Sequence, residues 1–142
     1  MNSLDIIGFI LSTILFSLGA LHIYWALGGS WGFSTAVPSK DGKALFNPSP
    51  LATIFVALAL FTASLIVIGR IGLLTKFIQI PFIFYWGTWG IAVVFLLRAI
   101  GEFNYVGFFK KHKSSRFASL DTRFYSPLCL FIALGAFLLN IS

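Results

Sequence analysis

The sequence predicts an all-α fold: an integral membrane four-helix bundle with amphipathic interfacial segments in its first and third loops. Three observations carry this. Four apolar stretches, Leu4–Leu27, Leu51–Gly69, Phe77–Leu97 and Tyr125–Ile141, fill most of the chain. Each reaches or approaches the ~20 residues a helix needs to cross a bilayer core. Hydrophobic residues make up 58% of the chain and charged residues only 10%, against about 25% charged in a soluble domain. Nearly every charge also falls in two of the three connections. A chain of 142 residues has too little interior to hide so much apolar surface from water, so lipid is its natural solvent. Residues 1–142 read as a single domain.

The first span opens with the acid Asp5 and has no basic n-region, a long apolar run and no Ala-x-Ala site, so it reads as a retained helix rather than a signal peptide. It stops at Gly28-Gly29, a pair that favours leaving a helix. Loop one, Gly28 to Ser49, mixes Trp31, Phe33 and Phe46 with Lys40, Asp41 and Lys43. Its aromatic first half is expected at the membrane interface or folded back onto the helices. The second span starts at Pro50, whose missing N–H is harmless in a first helical turn. Ala59 and Ala63 form a small-xxx-small pair, the spacing that lets membrane helices approach closely. Loop two, Arg70 to Lys76, is short enough to make spans two and three antiparallel neighbours.

The third span carries Pro81, Tyr85, Trp86 and Trp89, with Arg98 at its far end. Loop three, Ala99 to Phe124, is the longest basic segment, and its Phe103, Tyr105, Phe108, Phe109 and Phe117 mark it as membrane-hugging. The fourth span opens with Ser126-Pro127, an N-cap followed by proline at the first helical position. Cys129, the only cysteine, excludes an intramolecular disulfide and reads as a packing residue. The halves share no motif, so an inverted-repeat transporter is not supported.

Basic residues set the orientation. Loops one and three, with Arg98 at the end of span three beside them, hold Lys40, Lys43, Arg98, Lys110, Lys111, Lys113, Arg116 and Arg123, whereas loop two holds only Arg70 and Lys76. The positive-inside rule places loops one and three in the cytoplasm and both termini outside, in a cell (inner) membrane. The net charge of +6 flanks membrane spans. Its expected partners are therefore membrane lipids, with anionic headgroups near Lys110, Lys111, Lys113 and Arg116, and not nucleic acid.

The polar residues that are hardest to place in a membrane converge on that same side. His22 and Trp25 share a face near the end of span one. Arg98 and Glu102 are spaced i,i+4 and are placed to pair. Asp121 and Tyr125 lead into span four, and the N-termini of spans two and four offer free N–H groups. His22, Trp25, Arg98, Glu102, Asp121 and Tyr125 are the candidate ligand-binding residues of an aromatic-walled pocket suited to an anion. His22, Glu102 and Asp121 are also the candidate catalytic residues. Plainer readings stand beside these: a histidine bonded to a neighbouring carbonyl, a helix-end Arg98–Glu102 salt bridge, Asp121 as a cap, and tryptophans as an interface belt.

Other chemistries lack support. His22 and His112 lie far apart, with no His-x3-His and no cysteine pair, so no metal site and no cofactor is indicated. There is no nucleophile elbow, no phosphate-binding glycine loop and no acidic ring for a channel. No carboxylate sits at mid-depth in a span, as a drug–proton antiporter needs.

Three segments carry a resemblance: LHIYWALGG at Leu21–Gly29, RAIGEFNYVGFFK at Arg98–Lys110, and FASLDTRFYSPLCL at Phe117–Leu130. Together they resemble a family of small four-span bacterial membrane proteins catalogued only as a domain of unknown function. The resemblance covers essentially the whole chain. It implies the four-helix membrane fold and brings no activity or catalytic residue with it.

The favoured reading is a membrane protein that binds a lipid or small anionic ligand in a cytoplasmic-side pocket, as a carrier or accessory subunit. Two alternatives remain open. One is an integral membrane enzyme on a lipid or isoprenoid substrate, with His22 as acid/base and Glu102 or Asp121 orienting it. The other is a structural subunit of a larger complex or oligomer.

Overall fold

A computed structural model describes all 142 residues. In chain order the elements are α1 (Ser3–Ala26), α2 (Phe33–Ala36), a two-stranded hairpin of β1 (Ser39–Lys40) and β2 (Lys43–Ala44), α3 (Pro50–Arg70) and α4 (Pro81–Ile100). The chain closes with α5 (Arg116–Leu120), a π-turn (Asp121–Tyr125) and α6 (Ser126–Ile141). Helices α1, α3, α4 and the continuous run Arg116–Ile141 are each long and apolar enough to cross a membrane.

Local signals start and stop these helices. Asn2 and Asp5 form a reciprocal capping box at α1: Asn2 Oδ1 accepts the Asp5 N–H at 2.9 Å, and Asp5 Oδ2 accepts the Asn2 N–H at 3.0 Å. Gly28, at φ +99°, takes the chain out of α1. Ser49 caps α3 by accepting the Ala52 N–H at 3.1 Å, with Pro50 in the first turn as expected.

The helices pack as two long pairs, α1 along α3 and α4 along α6, joined by contacts of α3 with α4 and of α1 with α6. Leu11, Leu15, Val67, Ile91, Ile132 and Ala136 form the centre of the shared core. Only 30 of the 142 residues are buried, while Phe9, Phe16, Leu58, Phe131 and many similar side chains face outward. A protein with this surface belongs in hydrocarbon, and the fold defines a multi-pass, all-α membrane protein.

The α1–α3 seam is closed by serines. Ser12 Oγ lies 2.7 Å from Ser64 Oγ, and the two hydroxyls also reach across to backbone carbonyls: Ser64 Oγ donates to Ser12 O at 2.9 Å and Ser12 Oγ contacts Ser64 O at 3.1 Å. Ala63 joins the buried core, but Ala59 is exposed, so the alanine pair does not make the close approach. Interhelical hydroxyl bonds in membranes contribute about 0.6 kcal/mol, up to about 1.7. Ser12→Ala and Ser64→Ala should each lower thermal stability in detergent modestly, and the double variant should lose less than the sum because they share one network. Additive losses would show that the hydroxyls act independently.

The fourth helix begins nine residues before the expected Tyr125. Ser115, not Ser126, is its N-cap, accepting the Ala118 N–H at 3.0 Å. Pro127 explains the irregular turn that follows. A proline inside a helix removes a bond and clashes with the carbonyl four residues earlier, here Arg123. Widening to the π register relieves that clash, and the Ser126 N–H bonds Asp121 O, five residues back. The proline therefore distorts the helix without starting it.

Candidate functional site

Loop three contains no regular helix between Gly101 and Arg116. It is held by a buried ion cluster centred on Asp121, which is fully buried. Asp121 Oδ1 accepts from Arg98 Nη2 at 2.9 Å, while Oδ2 accepts from the Gly107 N–H at 2.8 Å and from Lys110 Nζ at 3.1 Å. Lys110 is 2% exposed. Its ammonium has three donors and finds three acceptors: Asp121, Gly107 O at 2.9 Å and Thr122 Oγ1. One carboxylate thus ties the end of α4, the middle of loop three and the π-turn together.

Two glycines make this geometry possible. Gly101 (φ +82°) and Gly107 (φ +89°) lie back to back, and a Cβ on either would drive into the backbone around the other. Phe108 N–H closes the loop on Ala99 O at 2.8 Å.

The cluster corrects three expectations. Arg98 does not pair with Glu102: α4 ends at Ile100, and the turn at Gly101 carries Glu102 away from the helix face. Glu102 is exposed and caps loop three instead, accepting the N–H groups of Tyr105, Val106 and Asn104. Lys110 is withdrawn from the surface run, leaving Lys111, Lys113 and Arg116 exposed.

Hydrogen bonds from Tyr105 first, then from Val106 and Asn104, hold the Glu102 carboxyl below the ordinary value of a free glutamate, against a smaller desolvation effect that raises it. A folded-state pKa below the unfolded one contributes stability above the unfolded value, which is lost as pH falls through the folded value. The amide resonances of Tyr105 and Asn104 should therefore titrate with a midpoint below that of a free glutamate. The titration should vanish in Glu102→Gln. A midpoint at or above that of a free glutamate would contradict the capping role.

Beside the ion cluster lies a half-open cavity of about 1280 Å³, with 18 of its 25 lining residues hydrophobic. His22, Trp25, Arg98 and Tyr125 all line it, so four of the six sequence candidates share one cavity. Glu102 and Asp121 do not: the first is on the surface and the second is sealed behind Arg98. Cys129 lines the cavity wall rather than simply packing the helix.

Loop one builds the cavity rim by folding back on the helices, as its aromatic half predicted. Trp25 Nε1 donates to Trp31 O at 2.8 Å, Trp31 N–H to Tyr24 Oη at 3.3 Å, and Tyr125 Oη to Thr35 O at 3.1 Å. Phe33 meets Trp25 edge to face at 6.0 Å. His22 Nδ1 lies 2.7 Å from Leu18 O, which as a carbonyl can only accept, so Nδ1 is the donor of this bond. Its ring meets Trp25 edge to face at 5.0 Å.

Arg98 is the cationic member of the wall. Asp121 engages Nη2, but Nη1 is enclosed and has no hydrogen-bond partner. Arg98 and Lys110 together carry two positive charges against the single carboxylate, so the cluster behind the wall is positive by one. Sequence spacing gave no sign of this. The partners are 11 and 23 residues from Asp121 along the chain.

At the loop-two end, Arg70 Nε donates to Asn140 Oδ1 at 3.0 Å, and its guanidinium carbon lies 5.8 Å from the Tyr85 ring centroid. That charge is held by α6 and α4 rather than free.

These features define a small helical membrane protein with one large apolar cavity and a basic group in its wall. Residues 15–136 match the family described as Protein of unknown function (DUF3995), and the chain belongs to that family. No curated protein and no solved structure matches it significantly.

Proposed function

We propose that this protein binds a lipid or small anionic ligand in the cavity beside Arg98, on the cytoplasmic side of the membrane, as a carrier or accessory subunit. The carrying observation is the large apolar cavity with a guanidinium in its wall that has an unsatisfied buried donor. Apolar pockets with a few polar groups are the usual form of a ligand site. The cytoplasmic placement rests on the excess of basic residues in loops one and three, which close this end of the bundle. The enzyme reading is weaker, because both carboxylates expected to orient His22 lie outside the cavity.

Native mass spectrometry of protein purified in mild detergent should show a co-purifying mass that His22→Ala and Trp25→Ala diminish. Repeated absence of bound mass would overturn the proposal. Sidedness is tested with Cys129→Ser carrying Ser114→Cys: only permeant thiol reagents should label intact cells, and labelling from outside would reverse the orientation.

A further inference from the structure

Resting on that reading, we infer that the ligand is a membrane-resident amphiphile with a hydrocarbon tail and one acidic headgroup, entering sideways between α3 and α4. Those helices are joined by the shortest loop, and their close approaches lie at its end. The Phe84 ring packs against Gly69, and Ile66 packs against Gly87. One turn further from that loop, Gly90 has open space where a Cβ would stand.

Beyond Gly90 the cavity lies between the two helices. Val56 and Ala59 on α3 and Val94 on α4 line the cavity and are exposed on the outer surface as well. They sit within spanning segments. The mouth therefore opens on lipid acyl chains, and a water-soluble anion has no direct path through it. A tail along this gap brings its headgroup to Arg98, the charged group of the wall. The positive excess of one on the Arg98–Lys110–Asp121 cluster matches one negative charge, and in this low-dielectric setting the match is strongly selective.

The experiment uses purified full-length protein in mild detergent and native mass spectrometry, with four probes: oleate, 1-oleoyl lysophosphatidate, 1-oleoyl lysophosphatidylcholine and inorganic phosphate. Oleate and lysophosphatidate should bind one per chain. Lysophosphatidylcholine, with the same tail and no net charge, should bind about tenfold more weakly or less, and phosphate should not be retained.

Gly90→Trp, which fills open space at the portal, should abolish binding of both acidic amphiphiles while keeping the wild-type melting temperature. Arg98→Lys, which keeps a charge for Asp121, should weaken them about tenfold. Undiminished amphiphile binding in Gly90→Trp would overturn the lateral route. Equal binding of the zwitterionic lysophosphatidylcholine would overturn the acidic headgroup. Retention of phosphate but not of the amphiphiles would overturn this inference and leave the anion-binding cavity standing. If no probe binds, the cavity reading fails with it.

Discussion

Replacing Asp121 with alanine should unfold this protein or come close to it. The side chain is fully buried and is the only carboxylate facing two cations. Removing it leaves Lys110 buried with no counter-charge and Arg98 beside it. Breaking a buried ion pair from one side is destabilising by about 3–5 kcal/mol, a large share of a domain's net stability. Asp121→Asn should fall between: its Oδ1 still accepts a hydrogen bond, but the charge is gone. Lys110→Met should be milder than Asp121→Ala, since Asp121 keeps Arg98 and the Gly107 N–H. Adding Lys110→Met to Asp121→Ala should recover part of the loss, because one uncompensated charge is removed. Thermal denaturation in detergent, followed by size-exclusion chromatography, measures all four. A wild-type melting temperature for Asp121→Ala would refute the structural role of the cluster.

Gly107→Ala should produce the second large effect, through backbone alone. At φ +89° a side chain is strained, and its Cβ would overlap the Ile100 carbonyl and the Gly101 Cα. Strained backbone is worth about 1–3 kcal/mol at a single residue. Here a backbone clash adds to it, and the shift moves the Gly107 N–H off Asp121. Gly90→Ala is the control. It meets open space in a helix, where alanine is favoured over glycine by about 0.8–1.0 kcal/mol. The melting temperature should fall sharply for Gly107→Ala and hold or rise for Gly90→Ala. Equal behaviour of the two would mean that the loop relaxes freely around residue 107.

The candidate site was legible in part. His22 and Trp25 share a helix face at spacing three, and Arg98 ends an apolar run, so local pattern sufficed to nominate them. Tyr125 was nominated as a neighbour of Asp121, and its place in the cavity depends on the π-turn. Glu102 shows the opposite. Its i,i+4 spacing from Arg98 had force only if the helix continued, and Gly101 ended it first. Asp121 was noticed as a costly charge in the right region but given the wrong task. Its partners come from separate parts of the chain, and no periodicity reports a contact between residues 98, 107, 110 and 121. Ser126-Pro127 misled because a proline that starts a helix and one that widens a turn inside a helix look alike in sequence.

By itself the sequence determined the solvent, the number of spans, the approximate ends of the first three and the end of the bundle where polar residues gather. All of these follow from hydrophobicity and charge, which are summed along the chain and need no knowledge of contacts. Only the tertiary structure decided which of those polar residues are structural and which line the cavity. Pairing in a low-dielectric interior depends on distances of about 3 Å across different helices, and the loop that turns at Gly101 and Gly107 sets those distances.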